Sequence, residues 1–521
     1  MSEKRLVIRG VAFNWLGRGV GFAIAFVVTP ILIRGLGDEA YGLWSMVMAL
    51  TSYYALADLG LRGAAVKHIA QYDAQHDQES VSGVVVTALA VYGFMAMVVL
   101  GVVAAAAMVF PAVVQTEIID DASLGWVVLL TGLGVALTLI GQVFDASLTA
   151  AKRFDRSNMI AISMQILLAT LMIVTVTRGW GILRMAMVTL AVTALNQATI
   201  FIVASWTLPY VKLSPRRFHW STARTLFRFS ILNFVQGVGR RAAKSAGTVI
   251  VGLILGPAVA CFYAIAENLI VKTNELAQGI TTVLLPLASQ LDAQKRRAAL
   301  AQTVLLAARV LTAMSLGLAV VFILFGEPLI DLWIGEGYAA TAYPVLCVLA
   351  VANILRMSTL GLRDILLGTN RVGFLAKAGL ADLGITIVCG VLFIKSGGLV
   401  GMAYAAVAAQ LVTSAVLIPV RACRSVDIPI PRFLRETLIP AGLATLPALI
   451  AALTIKSFGP PARLSHLVID ILCVAALSAG STFFICIDRR LRGDVFRSFL
   501  AGPKPPKVPR EPIAEERFSE L

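Results

Sequence analysis

Long apolar stretches separated by short charged ones set the pattern of this chain. Fourteen of them, each about twenty residues or longer, lie near 11–33, 41–61, 81–109, 124–148, 158–177, 182–206, 229–255, 258–287, 299–325, 342–367, 374–394, 399–420, 438–455 and 467–487. None alternates apolar and polar residues strictly, so each reads as a helix, the form that satisfies its own backbone hydrogen bonds inside a bilayer. At 1.5 Å per residue, about twenty residues cross the hydrocarbon core. The pattern predicts an all-α polytopic membrane protein with about fourteen transmembrane helices. Lys4, Arg5 and Arg9 precede the first stretch as in a signal peptide. That stretch is too long for a signal core and lacks a small-x-small cleavage site, so it is read as a span.

Composition agrees with the pattern. The 521 residues are 58% hydrophobic and 14% charged, with a mean hydropathy of +0.85. Soluble enzymes and disulfide-stapled scaffolds are excluded. The net charge of +15 would suit a nucleic-acid binder only if the cations shared one solvated surface. They do not. With the N-terminus placed in the cytoplasm and cations within four positions of a boundary counted with the adjoining side, 31 of the 44 Lys and Arg fall on the inner side, six on the outer side and seven within spans. Outer segments carry acids such as Glu117, Asp120, Asp121, Glu327, Asp331 and Glu336. This asymmetry is the one that orients membrane helices, and it puts both termini in the cytoplasm with no nucleic-acid partner.

The chain also repeats itself. At an offset of 219 residues Asn14 meets Asn233, Leu36-Gly37 meets Leu255-Gly256, and Gln71, Asp73, Ala74 and Gln75 meet Gln290, Asp292, Ala293 and Gln294. With one residue of drift, Arg153 meets Arg371. Six helices separate the equivalents, so the two halves have the same orientation, related by an axis along the membrane normal with a cavity between them. The expected organisation is a first six-helix lobe over 1–206, a basic linker over 207–225, a second six-helix lobe over 226–425, two extra spans over 426–488, and a disordered, proline-rich basic tail over 489–521.

Cations inside the bilayer supply the candidate chemistry. A charge at mid-bilayer costs about 2.5–3.5 kcal/mol, so such residues face protein or a wet cavity and mark functional paths. The seventh span carries Gly237-Val238-Gly239-Arg240-Arg241-Ala242-Ala243-Lys244, with Arg240 roughly 17 Å from the inner end. Spacings of three and four put Arg240, Arg241 and Lys244 on neighbouring turns of one face. Unpartnered, they would cost on the order of 8–10 kcal/mol; a water-filled cavity receiving an anion explains them better than snorkelling to the surface. Arg18, in the equivalent first span, is a second such cation, although snorkelling would also account for it. Guanidinium groups bind oxyanions through two hydrogen bonds at once, which suits a phosphate or carboxylate.

Glu267 in the eighth span has no local partner, unlike Lys272 and Glu275, which are spaced to pair. It is the candidate for coupling to a proton or sodium gradient, with an interhelical partner such as Lys244 as the alternative. Asp58 is a gating candidate or a membrane-edge carboxylate. Arg309, Arg356, Asp145 and Asp382 read as structural charges. The six cysteines form no C-x-x-C pair, the four histidines no metal-spaced cluster, and no phosphate loop, H-E-x-x-H or G-x-S-x-G occurs. The glycine runs at 17–21 and 237–239 sit inside apolar helices, where close packing is their ordinary role. No catalytic residue, metal or cofactor is expected.

The first third of the chain resembles the bacterial polysaccharide exporters, O-antigen-type flippases, of the multidrug/oligosaccharidyl-lipid/polysaccharide (MOP) superfamily. The resemblance is carried by Pro30-Ile31-Leu32-Ile33-Arg34-Gly35-Leu36-Gly37, Tyr41-Gly42-Leu43-Trp44, Asp58-Leu59-Gly60-Leu61 and the stretch from Lys67 to Tyr72. It continues more thinly through Leu255-Gly256 to Tyr263 and Gly368-Thr369-Asn370-Arg371. It implies a V-shaped pair of lobes that moves an undecaprenyl-diphosphate-linked oligosaccharide from the inner to the outer leaflet of the bacterial inner membrane, for surface polysaccharide such as lipopolysaccharide O-antigen or exopolysaccharide. The partners it implies are the lipid-linked oligosaccharide, membrane lipids and other polysaccharide-assembly proteins. The competing readings are a cation-coupled multidrug exporter of the same superfamily, a membrane-embedded glycan polymerase, and a scaffold acting through its tail.

Overall fold

A computed structural model describes residues 3–54, 61–114, 116–224, 245–281, 284–459 and 463–487, together with Pro461 and Arg492. All regular structure among the described residues is helical. The first half contains α1 (Glu3–Leu36), α2 (Asp38–Tyr54), α3 (Leu61–Ala74), α4 (Gln78–Val113), α5 (Asp121–Ala150), α6 (Phe154–Thr177) and α7 (Ile182–Thr207). The second contains α8 (Ser245–Leu255), α9 (Pro257–Thr281), α10 (Leu284–Ala293), α11 (Arg297–Trp333), α12 (Tyr338–Ser358), α13 (Leu360–Gly368), α14 (Val372–Gln410) and α15 (Ile418–Ser425). Helices α16 (Ile430–Ser457) and α17 (Leu464–Cys486) follow and pack on α11.

Ten helical segments among the described residues are long and apolar enough to cross a membrane, against the fourteen spans expected. Four of the fourteen stretches account for the difference. Helix α2 has only 17 residues, α9 carries Glu267, Lys272 and Glu275, and 229–244 of the seventh stretch lie outside the described residues. The eleventh and twelfth stretches are the two arms of α14, which doubles back between them at Gly398, where φ is 53° and ψ −135°, so they count there as one segment. A Cβ on Gly401 would fall 2.1 Å from the Phe393 carbonyl oxygen and one on Gly390 2.8 Å from Met402 Sδ, so the two arms run antiparallel in close contact.

Backbone geometry follows the 219-residue offset. His76 and Lys295 both adopt left-handed conformations, at φ 57° and 55°, and so do Gly37 and Gly256, at 84° and 94°, and Gly179 and Gly398, at 68° and 53°. Each pair sits at a corresponding turn between helices. Packing repeats as well: α4 lies along α5 and α5 along α7, as α11 lies along α12 and α12 along α14. Asp77 and Asp120 cap α4 and α5, accepting from the Ser80 and Ser123 amides at 3.0 and 2.9 Å. These bonds to Ser80 and Ser123 hold both carboxyls below the usual carboxylate range.

Since α1 begins on one face of the helical body and turns into α2 on the other, these are called here the near and far faces. The halves meet chiefly where α2 packs on α9. That approach depends on Gly42: a Cβ there would lie 1.8 Å from the Pro257 carbonyl oxygen.

A polar cavity between the halves

In α2, Tyr41, Trp44, Ser45, Met48 and Ala49 follow the spacing that places side chains on one helix face. In α9, Ala264, Glu267, Asn268 and Val271 do the same. These two faces, with Leu32 of α1 and Ser245 and Thr248 of α8, enclose a cavity of about 290 Å³. Its walls join the halves by polar contacts. Ser52 and Ser245 share a hydrogen bond of 2.7 Å, and Asn268 donates to the Tyr41 hydroxyl at 3.4 Å.

Glu267 also lines a second, smaller cavity of about 40 Å³ inside the second half, with Tyr263, Asn353, Arg356 and Thr386. Along α12, Leu349, Ala352, Asn353 and Arg356 again share one face. Asn274 donates to Asn353 at 2.7 Å beside it. Arg356 is half-buried, and among the described residues its guanidinium makes no hydrogen bond or ion pair. A cation and a carboxylate thus border one small space that adjoins the central cavity.

Deeper in the second half a chain of polar side chains links α14 to α13. Asp382, only 3% exposed, accepts from Gln410 at 2.8 Å. Gln410 in turn accepts from Ser414 at 2.7 Å, and Ser414 accepts from Arg363 at 3.2 Å. Ser414 belongs to a π-helical stretch, Leu411–Leu417, a local widening that is often found at functional positions.

Among the residues singled out from sequence, Glu267 is the one brought to the cavity wall. The Thr248 hydroxyl donates to it at 2.6 Å, an interhelical partner on α8. Arg240, Arg241, Lys244 and Asp58 lie outside the described residues, as does the side chain of Arg18 on α1. Lys272 and Glu275 pair at 2.9 Å as their spacing predicts. Asp145 pairs with Arg62 at 2.5 Å, and Arg309 donates to the backbone carbonyls of Glu436 and Cys486, so both are structural. Among the described residues no cluster of side chains could hold a metal ion. Arg356, Asn268, Thr248 and Tyr41 were not marked out as site residues by sequence. The face spacing along α2 and α9 was visible, but hydropathy does not tell a cavity-facing stripe from one packed in a core.

On the far face the halves are sealed together. Arg34 donates to the Ile334 carbonyl at 2.6 Å, Tyr338 to Asp38 at 2.5 Å, and the Trp333 indole to the Phe26 carbonyl at 2.6 Å. Phe26 and Trp333 also stack, with ring centroids 5.0 Å apart. The near-face helices pack within their own halves instead, α3 on α4 and α5, and α10 on α11 and α13.

Two helical halves around a polar cavity, sealed at one face, define a multi-pass membrane protein with a transporter fold. The fold matches a multidrug resistance MATE family transporter of the MOP superfamily in its inward-facing conformation, at a TM-score of 0.67 and 15% identity over 79% of this chain and 98% of that one. It also matches the lipid II flippase MurJ in an inward closed conformation, at a TM-score of 0.65 and 14% identity over 95% and 100%. A Shigella flexneri protein named for O-antigen transport is 21% identical over 350 residues, 66% of this chain and 81% of that protein. The family model described as polysaccharide biosynthesis protein matches residues 31–343, and the chain belongs to that family. Its relatives are transporters and flippases, not enzymes.

Proposed function

We propose that this protein is a lipid-linked oligosaccharide flippase that moves an undecaprenyl-diphosphate-linked glycan from the inner to the outer leaflet of the bacterial inner membrane by alternating access. The observation that carries the reading is the polar cavity between the halves. Its wall includes Ser245, and the cationic run Arg240, Arg241 and Lys244 ends one residue earlier in the chain. A diphosphate carries its charge in a compact group that Arg and Lys neutralise, and the lipid tail needs only a gap between helices to remain in the bilayer. Arg18 on α1 and Arg356 in the adjoining cavity complete the proposed cationic path. Glu267 is the proposed point of coupling to a proton or sodium gradient, and Asp58 a gate.

In this reading 1–206 and 226–425 rock as two lobes about the α2–α9 contact, with both termini cytoplasmic and the remaining spans, 426–488, as an appendage. Family membership and the Shigella relative support polysaccharide export over a drug exporter, whose commonly cationic cargo would favour an acidic cavity. The test is complementation of a flippase-null strain by the variant Arg240→Gln/Arg241→Gln/Lys244→Gln. Surface glycan should be lost while membrane abundance stays at the wild-type level. Full complementation would overturn the cationic path.

A further inference from the structure

The strap joining the halves, 207–224, contains Lys212, Arg216, Arg217 and Arg224 and no acidic residue. Its backbone is fixed to the near face of the first half. The Lys212 amide donates to Ser82 Oγ at 3.2 Å and the His219 amide to Thr87 Oγ1 at 3.1 Å, both at the start of α4, and the Tyr210 hydroxyl donates to Asp73 of α3. Gly83 leaves room for this crossing, since a Cβ there would lie 3.2 Å from the His219 ring. Because the backbone bonds inward, much of the side-chain surface points outward. Trp206 at the end of α7 and Trp220 are each 75% exposed, Leu213 and Phe218 are exposed beside them, and Lys212, Arg216 and Arg224 are exposed on the same strap. The Phe218 and Trp220 rings are 6.3 Å apart, forming an apolar patch next to the cations.

Exposed tryptophan beside exposed arginine, with no ion pair to a carboxylate among the described residues, is the composition that settles at a bilayer interface rather than in bulk water. We infer that this strap is a binding surface for anionic phospholipid headgroups, with Trp206, Phe218 and Trp220 seated at the level of the headgroups and Arg216, Arg217 and Arg224 paired with phosphate. The surface lies away from the central cavity and does not depend on what the cavity carries. It makes the connection between the halves sensitive to the lipid composition of the near-face leaflet.

The test uses the purified full-length protein in nanodiscs of phosphatidylcholine alone or of phosphatidylcholine with phosphatidylglycerol, read by hydrogen exchange over 207–224. A second readout is native mass spectrometry of retained lipid. Phosphatidylglycerol should slow exchange in the strap and be retained in preference to phosphatidylcholine. Each cation near an anionic surface is worth about a factor of five, so Arg216→Gln/Arg217→Gln/Arg224→Gln should lower that preference about a hundredfold. Circular dichroism of the variant checks that it remains folded. Equal exchange in the two lipid mixtures, protection confined to 489–521, or wild-type lipid preference in the variant would each overturn the inference.

Discussion

Two arginines inside the second half show how the same side chain serves two ends. Arg309 reaches from α11 to carbonyls 127 and 177 residues away, at 2.9 Å on Glu436 and 3.4 Å on Cys486, and so ties α16 and α17 to the body. Arg356 lines the cavity beside Glu267 and is not spent on another side chain among the described residues. Replacing Arg309 with Met should remove about 1.5–3 kcal/mol of charge-assisted hydrogen bonding and lower the unfolding temperature in detergent. Arg356→Gln should leave that temperature within a degree or so, as mutations away from packing features do, and reduce glycan export about tenfold or more. The opposite assignment of effects would exchange the two roles. Sequence gives both residues the same depth and cost. Only the direction of the side chain and partners far along the chain separate them, and neither leaves a mark in local hydropathy.

Helices and their turns were more legible. The repeat rests on short matches, yet it marks places where the backbone must turn the same way: Gly37 and Gly256 are left-handed where one helix hands over to the next, and His76 and Lys295 are left-handed at the turns before α4 and α11. The break between the eleventh and twelfth stretches, at Lys395-Ser396-Gly397-Gly398, is likewise the place where α14 doubles back. Close approach was hidden. Gly42 lies in a helix where alanine is intrinsically favoured, but its neighbour is a backbone carbonyl of α9 that cannot yield. Gly42→Ala should therefore destabilise the protein by about 1–3 kcal/mol, the usual range for overpacking. Gly63→Ala, on the exposed side of α3 with nothing within 4 Å, should be neutral or stabilising by up to about 1 kcal/mol. Paired thermal melts in one detergent compare the two directly, and equal shifts would mean that α2 and α9 can part without loss.

At the scale of the whole molecule, the seal and the cavity use different residues. The cavity is built from one face of α2, the first turn of α8 and the middle of α9, whereas the far-face seal joins the α1–α2 corner to the α11–α12 corner through Arg34, Asp38, Ile334 and Tyr338. Sequence pointed to a cavity between related halves but could not say which face was shut, because the seal pairs positions about 300 residues apart that do not correspond under the repeat. A carrier working by alternating access must break this seal once per cycle. Water can replace the hydrogen bonds of Arg34 and Tyr338 as they break, and the Phe26–Trp333 stack beside them is the apolar contact that opening must also part. Locking it should therefore arrest transport without disturbing the fold. In a background with the six native cysteines replaced, Asp38→Cys/Tyr338→Cys should cross-link with a short bifunctional maleimide in intact membranes, and surface glycan should stop accumulating. The same variant treated with a monofunctional maleimide should keep most of its export. Continued export by the cross-linked protein would mean that the α1–α2 and α11–α12 corners stay together throughout the cycle, and that the cargo leaves by a path other than the one between the halves.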